Sequence, residues 1–145
     1  MWSTPPSLFA NLVADEVDRK YRKFATDVYN NLVALSPVDT GRYKANHIIS
    51  IGSPNFSQLS STTEQGSGVV LTIPRHTYPT IYIQNNLPYA SVIEFGGYPN
   101  PVKRGTRVKR NGKWVYEIRS SGGFSIKAPT GVYGNAFWSA IAMQI

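Results

Sequence analysis

His47 and His76 are the only histidines of this 145-residue chain; they stand far apart, show no His-x-x-x-His spacing, and no cysteine accompanies them. A metal site would need carboxylates gathered from distant segments, so none is expected. Asp39 and Thr40 set a carboxylate beside a hydroxyl, the raw material of a base and a nucleophile. Neighbours at a helix start work instead as caps, accepting hydrogen bonds from the free amides. Glu94 has no second acid nearby, and its expected work is a hydrogen bond or salt bridge that holds a short helix. Gly66-Ser67-Gly68 and Gly122-Gly123 are followed by no Lys-Ser/Thr and read as turns, not phosphate cradles. No catalytic residue, cofactor or metal ligand is therefore expected, and the chain reads as a non-enzyme.

The chemistry that stands out is charge. Lys103, Arg104, Arg107, Lys109, Arg110, Lys113 and Arg119 face only Glu117 within one segment, seven cations against one carboxylate, or +6 of the chain's +7. Such a segment suits DNA phosphates or an acidic partner surface. Trp114 and Tyr116 lie within it and are the two aromatics placed for stacking on bases. For them, as for Tyr78, Tyr82, Tyr89 and Tyr133, cross-strand packing is the expected role.

These residues need elements to position them. Val13, Val17, Tyr21, Phe24, Val28, Leu32 and Leu35 recur at helical spacing, which predicts an amphipathic helix over 7–35 with that stripe facing the core or, as the alternative, a partner helix. Ser7 is its expected N-cap; Asp15, Glu16, Asp18 and Asp27 cancel Arg19, Lys20, Arg22 and Lys23 on a solvated face. Pro37 biases Ser36 away from helical angles and stops the helix near Leu35, with Gly41 supplying backbone freedom before a second helical turn.

Asn46 to Ile51, Val69 to Ile73 and Thr80 to Gln84 read as three strands of one sheet. The polar stretch 52–68 is too long for a hairpin turn and reads as an exposed loop, a candidate for ordering against a neighbour. Asn85-Asn86 should cap a short helix from Leu87 to Phe95 that Gly96-Gly97 ends. Asn111-Gly112 predicts a type I′ hairpin between 107–110 and 113–118, one side of it sheltered. Phe137, Ile141 and Ile145 predict a C-terminal helix over 134–145.

The expected fold is α+β, a long N-terminal amphipathic helix packed on a small, mostly antiparallel sheet, with a short middle helix, a basic hairpin and a short C-terminal helix. One domain is expected over 1–145, with an N-terminal arm at 1–6, the polar loop at 52–68 and the basic hairpin as an insertion at 98–126. Without cysteine, stability must come from packing rather than disulfides. No signal-like start and no apolar run of membrane-spanning length is present, so the chain reads as soluble and unexported.

Ser36-Pro37-Val38-Asp39-Thr40-Gly41-Arg42-Tyr43-Lys44-Ala45 after the long helix, and Asn85-Asn86-Leu87-Pro88-Tyr89-Ala90-Ser91-Val92-Ile93-Glu94-Phe95-Gly96 after a strand, resemble the tailed-phage neck or tail-completion family, minor tail protein Z type. The matching positions are Pro37, Val38, Asp39, Thr40 and Gly41, then Tyr89, Ala90, Glu94 and Gly96. Where that family often has an Arg-Pro-Phe-like segment, this chain has Lys127-Ala128-Pro129-Thr130-Gly131-Val132-Tyr133. The resemblance implies a structural virion protein, made in the host cytoplasm, that forms a homo-oligomeric ring of six or twelve copies. Its partners would be the head connector or head-closure proteins and the tail terminator or tail tube, with nonspecific contact to packaged DNA and no membrane. The alternative carried by charge alone is a nonspecific nucleic-acid-binding module acting through residues 103–119.

Overall fold

The computed structural model describes residues 6–38, 41–97, 106–117, 120–121, 124–125 and 127–144. Its architecture is α+β: a long helix α1 (Pro6–Leu35), a turn of helix α2 (Arg42–Ala45), strands β1 (Ile48–Ile51) and β2 (Ile81–Gln84), helix α3 (Ala90–Phe95), a hairpin β3 (Thr106–Arg110) and β4 (Lys113–Glu117), the minimal pair β5 (Ser120–Ser121) and β6 (Phe124–Ser125), and helix α4 (Tyr133–Ala142). β1 and β2 pair antiparallel in the register Ile48↔Gln84 through Ile51↔Ile81.

Helix α1 is the spine, with two core clusters along one face of it. Toward its C-terminal end Val28 and Leu32 pack with Tyr43, Leu87, Ile93, Ala128, Val132, Ala136 and Ala140. Nearer its middle Ala25 packs with Val70 and Ile73, flanked by Tyr21, Ile49, Ile51 and Ile81. The predicted apolar stripe therefore holds only through its middle. Val13, Val17 and Leu35 are exposed, while Ala25 and Tyr29 are buried. A full-length stripe suits a partner along the whole helix, whereas the body here covers α1 only from about Asp18 onward.

Other expectations shift for local reasons. Val69 to Ile73 is not a third strand; Gly68–Thr72 winds as a 3-10 helix, and the β1–β2 sheet has two strands. As a single apolar turn the run still buries Val70 and Ile73 against Ala25 of α1, so its apolar side chains reach the core without strand pairing. Ser7 lies inside α1, which already includes Pro6, and Asn46 ends α2 instead of opening β1. Asn85 and Asn86 do not cap α3: Asn85 makes a tight turn with the Leu87 amide and donates to the Tyr43 carbonyl, while Asn86 donates to the Asn55 and Ser57 carbonyls. Gly96 ends α3 with φ 84°, its amide reaching the Val92 carbonyl at 2.8 Å.

Helix α4 buries Ala136 and Ala140 rather than Phe137, which is exposed; Ile145 lies outside the described residues. Small side chains let α4 sit close against α1, and Phe137 instead meets Phe24 edge-on with ring centroids 5.5 Å apart.

The loop 52–68 is exposed yet fastened to its own chain. Asn46 donates to the Leu59 carbonyl and accepts from the Leu59 amide, Lys44 pairs with Glu64, and the Gly66 amide donates to the Tyr29 hydroxyl.

Candidate interaction surfaces

The residues that carried chemical promise in the sequence are arranged as joints. Glu94 projects from α3 to the start of α4, where Oε2 accepts from the Val132 and Tyr133 amides at 2.7 Å each and Oε1 accepts from the Gly134 amide at 3.0 Å. An anionic carboxylate on the open amides of a helix N-terminus satisfies donors that the helix cannot. The carboxylate fits because residue 131 is glycine: φ is 87°, and a Cβ there would meet the Glu94 carbonyl oxygen at 2.7 Å.

A second joint links the end of α1 to the same helix. The Ser36 hydroxyl donates to the Leu32 carbonyl at 2.5 Å, which uses its one hydrogen. His47 Nε2–H therefore donates to Ser36 Oγ (2.6 Å), and Nδ1 accepts from the Tyr133 hydroxyl (2.8 Å). Burial drives the His47 pKa down to about 4 and pushes that of Tyr133 up, so both hold the neutral forms this chain of bonds requires. The serine is turned toward a backbone carbonyl and is closed off from solvent, unlike an activated nucleophile.

Both sequence motifs meet here. Gly41 occupies the N-cap position of α2 at φ 89°, without a side-chain cap, and Tyr43 two residues on lies in one core cluster with Ile93 and Val132. Tyr43 and Tyr89 rings lie 6.4 Å apart, and Ala90 packs against the same cluster. Lys127 donates to the Val38 carbonyl just after Pro37. Asp39 and Thr40, expected as caps, lie outside the described residues, as do Lys103, Arg104 and Arg119.

Asp18, expected on a solvated face, is instead buried against Arg22, whose guanidinium also donates to the Val70 and Ile73 carbonyls. The hydrogen bond from Arg22, then that from the His76 amide, holds the Asp18 carboxyl below its ordinary range. This pair ties the 3-10 helix to α1, and His76 Nε2 adds a contact to Asp15. Among the described residues no group of three or more histidines and carboxylates could hold a metal ion, and no helix is long and apolar enough to cross a membrane.

Among the described residues two exposed surfaces combine neighbouring side chains of one chemistry. The first is the free half of α1: every side chain from Ser7 to Val13 is exposed. Leu8, Phe9 (54%), Leu12 (55%), Val13 and Val17 spread over about half of the helix circumference at 3.6 residues per turn. The face continues into an open groove of about 650 Å³, where Leu12 looks across to Leu71 (79% exposed) and Ile73.

The second surface is the β3–β4 hairpin. Asn111 (φ 51°) and Gly112 (φ 79°) form the predicted left-handed turn, and the register pairs Arg110 with Lys113, Lys109 with Trp114 and Arg107 with Tyr116. Among the described residues neither side of the hairpin is sheltered: Trp114 (59%), Val115 (40%) and Tyr116 (53%) are all exposed, and Ile118 lies outside the described residues. Among the described residues no third strand pairs with this ribbon, so alternation along β4 does not translate into an inside and an outside. The free face of α1 obeys the same periodicity as a core stripe, so the sequence leaves core and partner surface as alternatives for Val13 and Val17 and does not single out Leu8, Phe9 and Leu12.

Comparison with protein families, with curated proteins and with solved structures finds no match to this chain.

Proposed function

We propose that this chain is a structural subunit of the neck of a tailed bacteriophage, assembling into a closed ring that joins head to tail or completes the head-proximal end of the tail. The observation that carries this reading is the apolar face of α1 from Leu8 to Val17, projecting past the body beside the exposed Leu71. Isolated exposed apolar side chains are ordinary, but a contiguous face on a projecting helix is costly in water unless a partner covers it. A repeating copy is the economical partner, since one helix laid on the next subunit repeats around a ring. The converging motif residues supply the rigid platform from which that helix projects, and by analogy with the resembling family the ring has six or twelve copies.

Native mass measurement over a rising concentration series tests this. A discrete closed oligomer is expected, and Phe9→Ser with Leu12→Ser should return it to monomer with the thermal midpoint of the dilute, dissociated wild-type chain. A chain that remains monomeric both alone and inside purified virions overturns the proposal.

A second reading is favoured by one observation, the exposed cation-and-aromatic ribbon β3–β4: nonspecific nucleic-acid binding, with Lys109, Arg110 and Lys113 on phosphates. Neutralising these three with Arg107 should abolish DNA binding and its salt dependence, and a wild-type chain with no salt-sensitive DNA affinity contradicts this reading.

A further inference from the structure

We infer that the β3–β4 hairpin is a stacking platform selective for single-stranded nucleic acid, an inference that rests on the nucleic-acid reading of the hairpin and specifies the form of its ligand. Trp114 and Tyr116 are two residues apart on β4, so both project from the same face of the ribbon. The register sets Lys109 directly opposite Trp114, and places Arg107 opposite Tyr116. One face thus alternates flat aromatic surface with cationic positions, while Arg110 and Lys113 flank the turn on the other. The whole segment 103–119 carries +6, which fits a polyanion.

Aromatic rings beside cations match the two parts of a nucleotide. A base offers a π-face for stacking, and its phosphate offers the charge. Duplex DNA hides base faces inside the stack and presents only edges and backbone. Spacing points the same way: residues two apart on a strand lie about 7 Å from each other, roughly twice the ~3.4 Å rise per nucleotide of a duplex strand. A flexible single strand can extend to that interval and lay successive bases on Trp114 and Tyr116. An acidic protein surface would satisfy the cations but leave both rings in water.

The test is fluorescence anisotropy of the full chain with a labelled thymine oligonucleotide of roughly 12 nucleotides, inside the usual span of stacking sites, against a duplex of equal length. The expected result is tighter binding to the single strand, weakening steeply between about 50 and 200 mM salt. Trp114→Ala and Tyr116→Ala should each weaken single-strand binding by about 5- to 100-fold and leave duplex affinity unchanged, with Trp114→Phe restoring most of that affinity. Lys109→Gln with Lys113→Gln should flatten the single-strand salt slope by about 0.7 for each phosphate that no longer has a cation beside it. Equal affinity for both forms, indifferent to Trp114→Ala, overturns the stacking platform while leaving nonspecific nucleic-acid binding in place. No salt-sensitive binding to either form overturns both, and tighter binding of poly-glutamate than of the oligonucleotide assigns the hairpin to an acidic protein instead.

Discussion

His47 couples the protonation of one ring to the docking of two helices. Its imidazole must donate to Ser36 and accept from Tyr133, which only the neutral form can do. With the folded pKa lowered from 6.5 to about 4, the stabilisation it supports is full above pH 6.5 and declines as pH falls toward 4. The loss should approach roughly 3 kcal/mol, read by urea unfolding at steps across that window, and His47→Gln should remove the slope because glutamine donates and accepts without titrating. At the acid end of that window and below it the carboxyls of Glu16 and Asp18, lowered chiefly by hydrogen bonds from Arg19 and Arg22, contribute a loss of the same sign. At the second joint, Glu94→Ala exposes three α4 amides and should cost about 1–3 kcal/mol, whereas Glu94→Gln keeps one accepting oxygen and should cost less. Gly131→Ala forces both a positive φ and a 2.7 Å contact onto a side chain, and should lower stability by at least about 1 kcal/mol. Thermal melts of the three variants order them directly.

At the scale of elements, α1 divides into a half that holds the fold and a half that is free to hold something else. Leu32→Ala, in the fully buried half, should cost about 2–5 kcal/mol. Leu12→Ala, 55% exposed, should stay within about 0.5 kcal/mol in the monomer. Chemical denaturation of both separates the halves. The same contrast explains what the sequence could disclose. Pro37 and Asn111-Gly112 announce their turns because the constraint lies within a few bonds, and both turns occur where their residues require. The 3-10 helix at Gly68–Thr72 was illegible, since its β-branched residues favour a strand and the groups that hold the turn are distant in sequence: the Arg22 guanidinium, donating to the Val70 and Ile73 carbonyls, and Ala25, packed against both side chains. The Ser36–His47–Tyr133 chain was equally hidden: its members come from three separate parts of the chain that tertiary packing brings together. Glu94 was correctly expected to hold a helix, but the helix it holds is α4 and not its own α3.

For the whole molecule, stability and interaction are assigned to different parts. The two cores, the Glu94 cap and the buried histidine lie around the lower half of α1, while the apolar end of α1 and the cationic ribbon stand apart from them. A body built this way can present two surfaces at once without altering its core. In a ring, copies of the α1 end would close the circle and copies of the hairpin would multiply the +6 charge into a continuous field, whose attraction for phosphate should fall as salt rises. The proposed neck role is tested most directly by imaging, at side-chain resolution, the tailed-phage virions in which it places this chain. The expected density is a closed ring of six or twelve copies in the neck, with Leu8, Phe9 and Leu12 of each copy covered by the next. A single isolated copy, or a ring whose α1 ends all face open solvent, would contradict the account.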